Sequence, residues 1–306
     1  MTAHSRPDHT MLARLRRKLA EAAGGDGAGL PAHLGFVTCV SRHRIRNVVL
    51  PQPTAVFVLS GEKILHDEDA SHTARVGQML CIPALWRVTV ENVPSGNSGR
   101  YLALCLSYTP EMLARAALAC PQPPCPRRPD PEDIIQHAEP ILLQSVEHLL
   151  DLCLACPGDT GPSCLALETT LRLLGRRTES RDLLLANRSS SKERLSLQIM
   201  AEPDRAWTAQ ESARRMGLSE RGLRRALEAE GTSLRELLRD IRLNLALGLL
   251  QQGLLSVGEV ALRTGYESPS RFSSRFRERF GVSPRDILHF RGELGEDLAG
   301  TGQCVV

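Results

Sequence analysis

Residues 261–284 read ALRTGYESPSRFSSRFRERFGVSP, and residues 213–231 read ARRMGLSERGLRRALEAEG. The two stretches are versions of one unit. Ala213, Gly217 and Leu218 recur 48 residues later as Ala261, Gly265 and Tyr266, while Leu223 and Leu227 recur 49 residues later as Phe272 and Phe276. Each copy predicts a helix, a turn holding glycine, and a second helix with an apolar face. A small alanine lets the two helices approach closely, and glycine takes the turn backbone without steric cost. Ser219, and Ser268 or Pro269, stand where the second helices begin, serine as a cap and proline in the first turn. A duplication of this grammar predicts an array of paired helix-turn-helix units.

Between the copies, Leu234, Leu237, Leu238, Ile241, Leu245 and Leu249 keep helical spacing across Ser233 to Gln252. Those twenty residues span ~30 Å as a helix. That is close to one turn of DNA, ~34 Å, so recognition helices at its two ends could enter successive major grooves on one face of a duplex. The outward positions of the first recognition helix are Arg221, Arg224 and Arg225, and arginine grips a guanine edge or a phosphate. The second presents Ser270, Ser273 and Ser274 with Arg271, Arg275, Arg277 and Arg279 around them. Hydroxyls read bases weakly, so this unit is expected to position more than specify. The net charge is only +3, but residues 205–285 carry fifteen arginines, no lysine and fewer carboxylates, the footprint of a phosphate-binding module. A merely solvated charged face is the bland alternative.

The pattern Ala261-x-x-Thr-Gly265-Tyr266-x-Ser268-Pro269-Ser270-x-Phe272-x3-Phe276-x3-Phe280-Gly281-x-Ser283-Pro284, with Arg242-x3-Ala246-x-x-Leu249-Leu250 before it, resembles the AraC/XylS family of transcription regulators over Trp207 to Ile287. The resemblance implies a DNA-binding regulator, an activator as is usual for the family, with promoter DNA and RNA polymerase as partners. It carries base-facing roles onto Arg221, Arg224, Arg225, Ser270, Ser273 and Ser274. Where the family usually ends on a Tyr-Arg pair, this chain has Ile287 and Leu288.

Working outward, Phe36 to Val40, Ala55 to Leu59, Gln78 to Ile82, Arg87 to Val90 and Tyr101 to Ser107 are β-rich runs between turn residues. The expected fold class is therefore α+β: a cupin-like β half-barrel with helices, then an all-α domain whose two helix-turn-helix units are joined by a long helix. Expected boundaries are a flexible N-terminus (1–29), a sensor barrel (30–119), a Pro-rich connector (120–132), a helical dimerisation region (133–176), a linker (177–193), the double helix-turn-helix domain (194–291) and a flexible tail (292–306). Six prolines within Cys120 to Pro131 mark the connector, since proline cannot continue a helix. Leu167, Leu171 and Leu174 form an apolar stripe, read by analogy with the family as a homodimer contact.

Gly77-x5-Pro83 fits a cupin turn-and-strand element, but Ala84, Leu85, Trp86 and Arg87 follow where catalytic cupins place a metal-binding histidine. His66 and His72 read as solvent-facing in a loop-like stretch. A cupin-type enzyme with an accessory helical domain is the competing function; it needs a ligand cluster that these residues do not supply. No metal or cofactor is expected, and the Cys153-x-x-Cys156 pair lacks a second half. Control is expected through the barrel, by a small apolar effector near Phe57, Cys81 and Trp86 or by a regulatory protein. No apolar run is long enough for a membrane span and no secretion signal is visible, so a cytoplasmic location is expected.

Overall fold

The computed structural model describes residues 9–24, 31, 33–66, 70–120, 131–185 and 190–291. Helix α1 (His9–Gly24) precedes eight strands: β1 (Leu34–Cys39), β2 (His43–Val49), β3 (Thr54–Ser60), β4 (Glu62–His66), β5 (Ser71–Ala74), β6 (Gln78–Ile82), β7 (Arg87–Val93) and β8 (Tyr101–Ser107). Then come α2 (Pro110–Leu118), α3 (Pro131–Ile134), β9 (Ile135–His137), α4 (Pro140–Ala155), α5 (Thr160–Leu174) and α6 (Thr178–Leu184). The strands form two antiparallel sheets, ordered β1-β8-β3-β6-β9 and β2-β7-β4-β5. Strand β3 is buried at every position, as expected of a central strand covered on both faces. The half-barrel is thus an open pair of sheets. Its unforeseen strands are the polar ones: β2 (HRIRNVV) and β4 (EKILH) alternate charged and apolar residues, so neither forms an apolar run.

Four expectations are corrected here. Within the N-terminus taken as flexible, α1 packs on α4: Met11, Leu12, Leu15 and Leu19 are buried, and Arg14 and Lys18 bond Glu147 and Asp151 at 2.8 and 2.6 Å. Apolar residues spaced four and three apart form a helical stripe that finds a partner. Leu167, Leu171 and Leu174, taken as a dimer contact, are each at most 2% exposed, because α5 lies against α4 and α2 and turns this stripe inward. The stretch 177–193, taken as a linker, holds α6, whose Ser180, Leu183 and Leu184 are buried; Ser180 Oγ donates to Gln136 Oε1 at 2.6 Å. Its last residues already belong to the next helix, with Ser190 and Glu193 closing a capping box. His66 is not solvent-facing: it lies on β4 and bonds Ser71 and Glu91 at 2.9 and 2.8 Å. Most of the Pro-rich connector (121–130) and the tail (292–306) lie outside the described residues.

The rest is helical: α7 (Ser191–Ala201), α8 (Ala209–Met216), α9 (Glu220–Ala229), α10 (Leu234–Gln252), α11 (Val257–Arg263), α12 (Pro269–Phe280) and α13 (Pro284–Arg291). Their cores differ. Leu195, Ile199, Trp207, Ala213, Met216, Leu223, Leu227, Leu237 and Ile241 form a separate cluster around α8 and α9. Leu243, Leu247, Val260, Phe272, Phe276, Phe280 and Ile287, around α11 and α12, are continuous with the core of the sheets. Polar contacts reinforce that join. Val49 N donates to Asn244 Oδ1 at 2.7 Å, Asn47 Nδ2 to the Arg279 carbonyl at 3.2 Å, and Val40 N to the Phe290 carbonyl at 2.7 Å. His43 stacks on Phe290 with ring centroids 4.5 Å apart.

Candidate nucleic-acid interface

Both repeats fold as helix, glycine turn, helix. Gly217 and Gly265 sit at φ +68° and +78°, where a side chain would be strained. Ser219 Oγ accepts from Gly222 N at 3.1 Å and Ser268 Oγ from Arg271 N at 3.3 Å, so serine caps both second helices, with Pro269 in the first turn of α12. Ala213 and Ala261 are buried where the paired helices meet.

In α9, Leu223 and Leu227 point into the core and Arg221, Arg224 and Arg225 are exposed together on the opposite side. Arg224 lies 3.7 Å from Glu228, a pair in which both side chains are mostly exposed and which holds it weakly. Among the described residues, Arg221 and Arg225 have no acidic partner. The neighbouring arginines differ. Arg205, Arg214 and Arg215 are bound to Glu202 and Glu211 at 2.6 to 3.0 Å. Hydrogen bonds from Arg214 and Arg215 hold the Glu211 carboxyl down at about 2.

In α12, Phe272, Phe276 and Phe280 are buried; Phe272 and Phe276 pack tilted with centroids 5.6 Å apart, and Phe276 and Phe280 edge to face at 4.6 Å. Ser270, Arg271, Ser274, Arg275 and Arg277 are exposed, and Ser273 is half-buried. Arg279 leaves the outward group: its side chain is 9% exposed and lies 3.2 Å from Asp240. Burial lowers its pKa while Asp240 acts in the opposite sense. The Asp240 carboxylate also faces Arg87 of β7 at 3.5 Å, so Arg279 belongs to the join with the sheets.

The residues proposed for an effector, Phe57, Cys81 and Trp86, pack in or against the core of the sheets. Phe57 and Cys81 are 1% and 0% exposed, and the Cys81 thiol lies against Ser180 of α6 and is pushed up to about 12 by burial. Trp86 is half-buried in the turn before β7. A cavity of about 380 Å³ lies elsewhere, lined by Met79, Leu142, Leu173 and Leu174 with Glu139, Arg176 and Arg177 at its polar side. Sequence reasoning also passed over Arg235 and Arg239 of α10, although their spacing of four, continued by Arg242 three further on, was a visible sign of one helical face.

A family model for a helix-turn-helix domain matches residues 212–289. Over 99 residues the chain is 32% identical to the transcriptional regulator SirC of Salmonella typhimurium (strain SL1344), covering 32% of this chain and 34% of that protein. Over 81 residues it is 44% identical to the HTH-type transcriptional regulator GlxA of Rhizobium meliloti (strain 1021), covering 26% of this chain and 25% of that one. The chain thus spans about a third or less of the length of these curated relatives. Solved structures of ToxT from Vibrio cholerae share the fold over most of the molecule. An apo variant aligns with TM-score 0.62 at 13% identity, covering 84% of this chain and 97% of that one. The wild type with a bound unsaturated fatty acid aligns with TM-score 0.59 at 14% identity, covering 86% and 96%. Two sheets, a helical layer and a duplicated, serine-capped helix pair therefore meet in one recognisable arrangement, and residues 212–289 of this chain are an AraC-type helix-turn-helix domain carried on a ToxT-like fold.

Proposed function

We propose that the protein is a sequence-specific transcription regulator, an activator, that acts by binding rather than by catalysis. In this reading α9 and α12 enter successive major grooves. The carrying observation is the exposed face of Arg221, Arg224 and Arg225, two of which have no acidic partner among the described residues, on a capped helix whose other side is core. Arginine in that position reads guanine edges. The exposed Ser270, Arg271 and Ser274 of α12 form the second reading face.

Control by a small molecule is supported by two observations. ToxT, which shares the fold, has been solved with an unsaturated fatty acid bound. The cavity between β6, α4 and α5 is lined by Met79, Leu142, Leu173 and Leu174 with Glu139, Arg176 and Arg177, an apolar wall with a few polar groups that suits a small, mainly apolar molecule. This location replaces Phe57 and Cys81, which the core encloses.

Genome-wide mapping of bound DNA in the native cell, with Arg225→Ala as control, tests the reading. Discrete peaks near promoters are expected, weakened in the variant, whose affinity for the mapped site should fall by ~1 to 3 kcal/mol. Peaks that persist unchanged in the variant would remove Arg225 from the reading face.

A further inference from the structure

We propose that the cleft between the connecting helix α10 and the second helix-turn-helix unit is a phosphate clamp, in which Arg235, Arg239 and Arg275 hold the DNA backbone where it passes between the two occupied major grooves. The proposal rests on the DNA-binding reading above and assigns it a contact surface separate from the two recognition faces.

The cleft has a volume of about 460 Å³ and is lined by Arg235, Leu238, Arg239, Arg242, Tyr266 and Arg275. Four of these six residues are arginines and none of the six is a carboxylate. Arg235, Leu238, Arg239 and Arg242 fall three or four residues apart in sequence, so they share one face of α10. Tyr266 comes from the turn of the second unit, and Arg275 from α12 itself. The cleft is therefore built from the connecting helix and the second unit's own motif.

The arginines are differently engaged. Arg242 is spent on structure, donating to the carbonyls of Pro203 and Arg205 at 2.7 and 2.9 Å. Among the described residues the acidic partner of Arg275 is Glu278, 2.9 Å away in an exposed pair that water and salt screen. Arg239 lies 3.6 Å from Asp240, but that carboxylate is shared with Arg279 and Arg87. Among the described residues Arg235 has no acidic partner. Like charges gathered in one cleft repel one another, screened in part by water and salt where the side chains are exposed. A polyanion removes that repulsion. On a duplex read in two successive major grooves, the backbone bordering the intervening minor groove lies between the recognition helices and carries phosphates at close, regular spacing.

The test titrates full-length protein into a fluorescent 30-base-pair duplex of random sequence and into a promoter fragment it occupies, across a range of salt. Arg235→Ala, Arg239→Ala and the double variant are compared with wild type and with Arg239→Lys. Both alanine positions are at the surface, and unchanged thermal unfolding checks that the fold is kept. Each alanine variant is expected to weaken both duplexes by the same factor and to reduce the slope of log K against log salt by ~0.9 for each phosphate it no longer neutralises. Arg239→Lys should restore most of the slope. An unchanged slope in the double variant would overturn the clamp while leaving the DNA-binding reading intact. Weakening confined to the promoter fragment would make these residues base readers and also overturn it. Failure of wild type to bind either duplex would overturn the DNA-binding reading, and the clamp with it.

Discussion

The two helix-turn-helix units share one motif and differ most in what lies behind them. The first, α8 and α9, closes on its own cluster with Trp207, Leu195 and Ile199. The second, α11 and α12, shares the core of the sheets; Asn47 ties α12 to β2, and the neighbouring α10 and α13 are tied to the sheets by Asn244 and by the contacts of Phe290 with Val40 and His43. The difference teaches that the sheets and the second unit share one core, whereas the first unit can open with less disturbance to the sheets.

The largest expected effect separates the cores. Phe276→Ala should cost ~3 to 5 kcal/mol and Leu227→Ala ~2 to 5 kcal/mol, both being fully packed. Hydrogen exchange should show Phe276→Ala loosening the sheets together with α12, and Leu227→Ala loosening α8 and α9 while the sheets stay protected. Sheets that remain protected in Phe276→Ala would break the comparison.

Acid should act on the same division. Burial would raise the Glu91 carboxyl, but bonds from Arg42, Arg44 and His66 outweigh it and hold it at about 2, from an ordinary 4.5. A depressed folded value stabilises the fold at pH above about 4.5, and that contribution, on the order of 3 kcal/mol, is lost as pH falls toward 2. Unfolding followed by circular dichroism from pH 6 to pH 2 should show this loss in wild type and a flatter profile in Glu91→Gln. Equal acid sensitivity in the two proteins would remove Glu91 as the cause.

The smallest effect sharpens the comparison at one residue. Gly217 and Gly265 occupy equivalent turns, and a Cβ at Gly217 meets nothing within 4 Å. At Gly265 it would come 2.7 Å from the Arg242 guanidinium and 2.8 Å from the Pro203 carbonyl. Gly217→Ala should therefore cost only the left-handed strain, ~1 to 2 kcal/mol. Gly265→Ala should cost more, because Arg242 must leave the carbonyls it bonds. Equal shifts in thermal unfolding would mean the close approach at Gly265 relaxes freely.

The sequence by itself determined the local grammar. The repeat of alanine, glycine and apolar positions, the serine caps and the outward arginines of α9 depend on helical period and backbone preference, which act over a few residues. The apolar strands β3, β6 and β8 were legible for the same reason. Only the tertiary structure decided the destination of each apolar or charged face. The Leu167, Leu171 and Leu174 stripe has the pattern of an interface, yet α4 and α2 cover it. The α1 stripe lies in a segment that composition alone marks as a tail. Arg279 has the same spacing along α12 as its exposed neighbours, but strand β2 and Asp240 enclose it. Periodicity fixes which residues share a face; which partner that face meets depends on contacts between residues far apart in the chain, and no short window of sequence contains them.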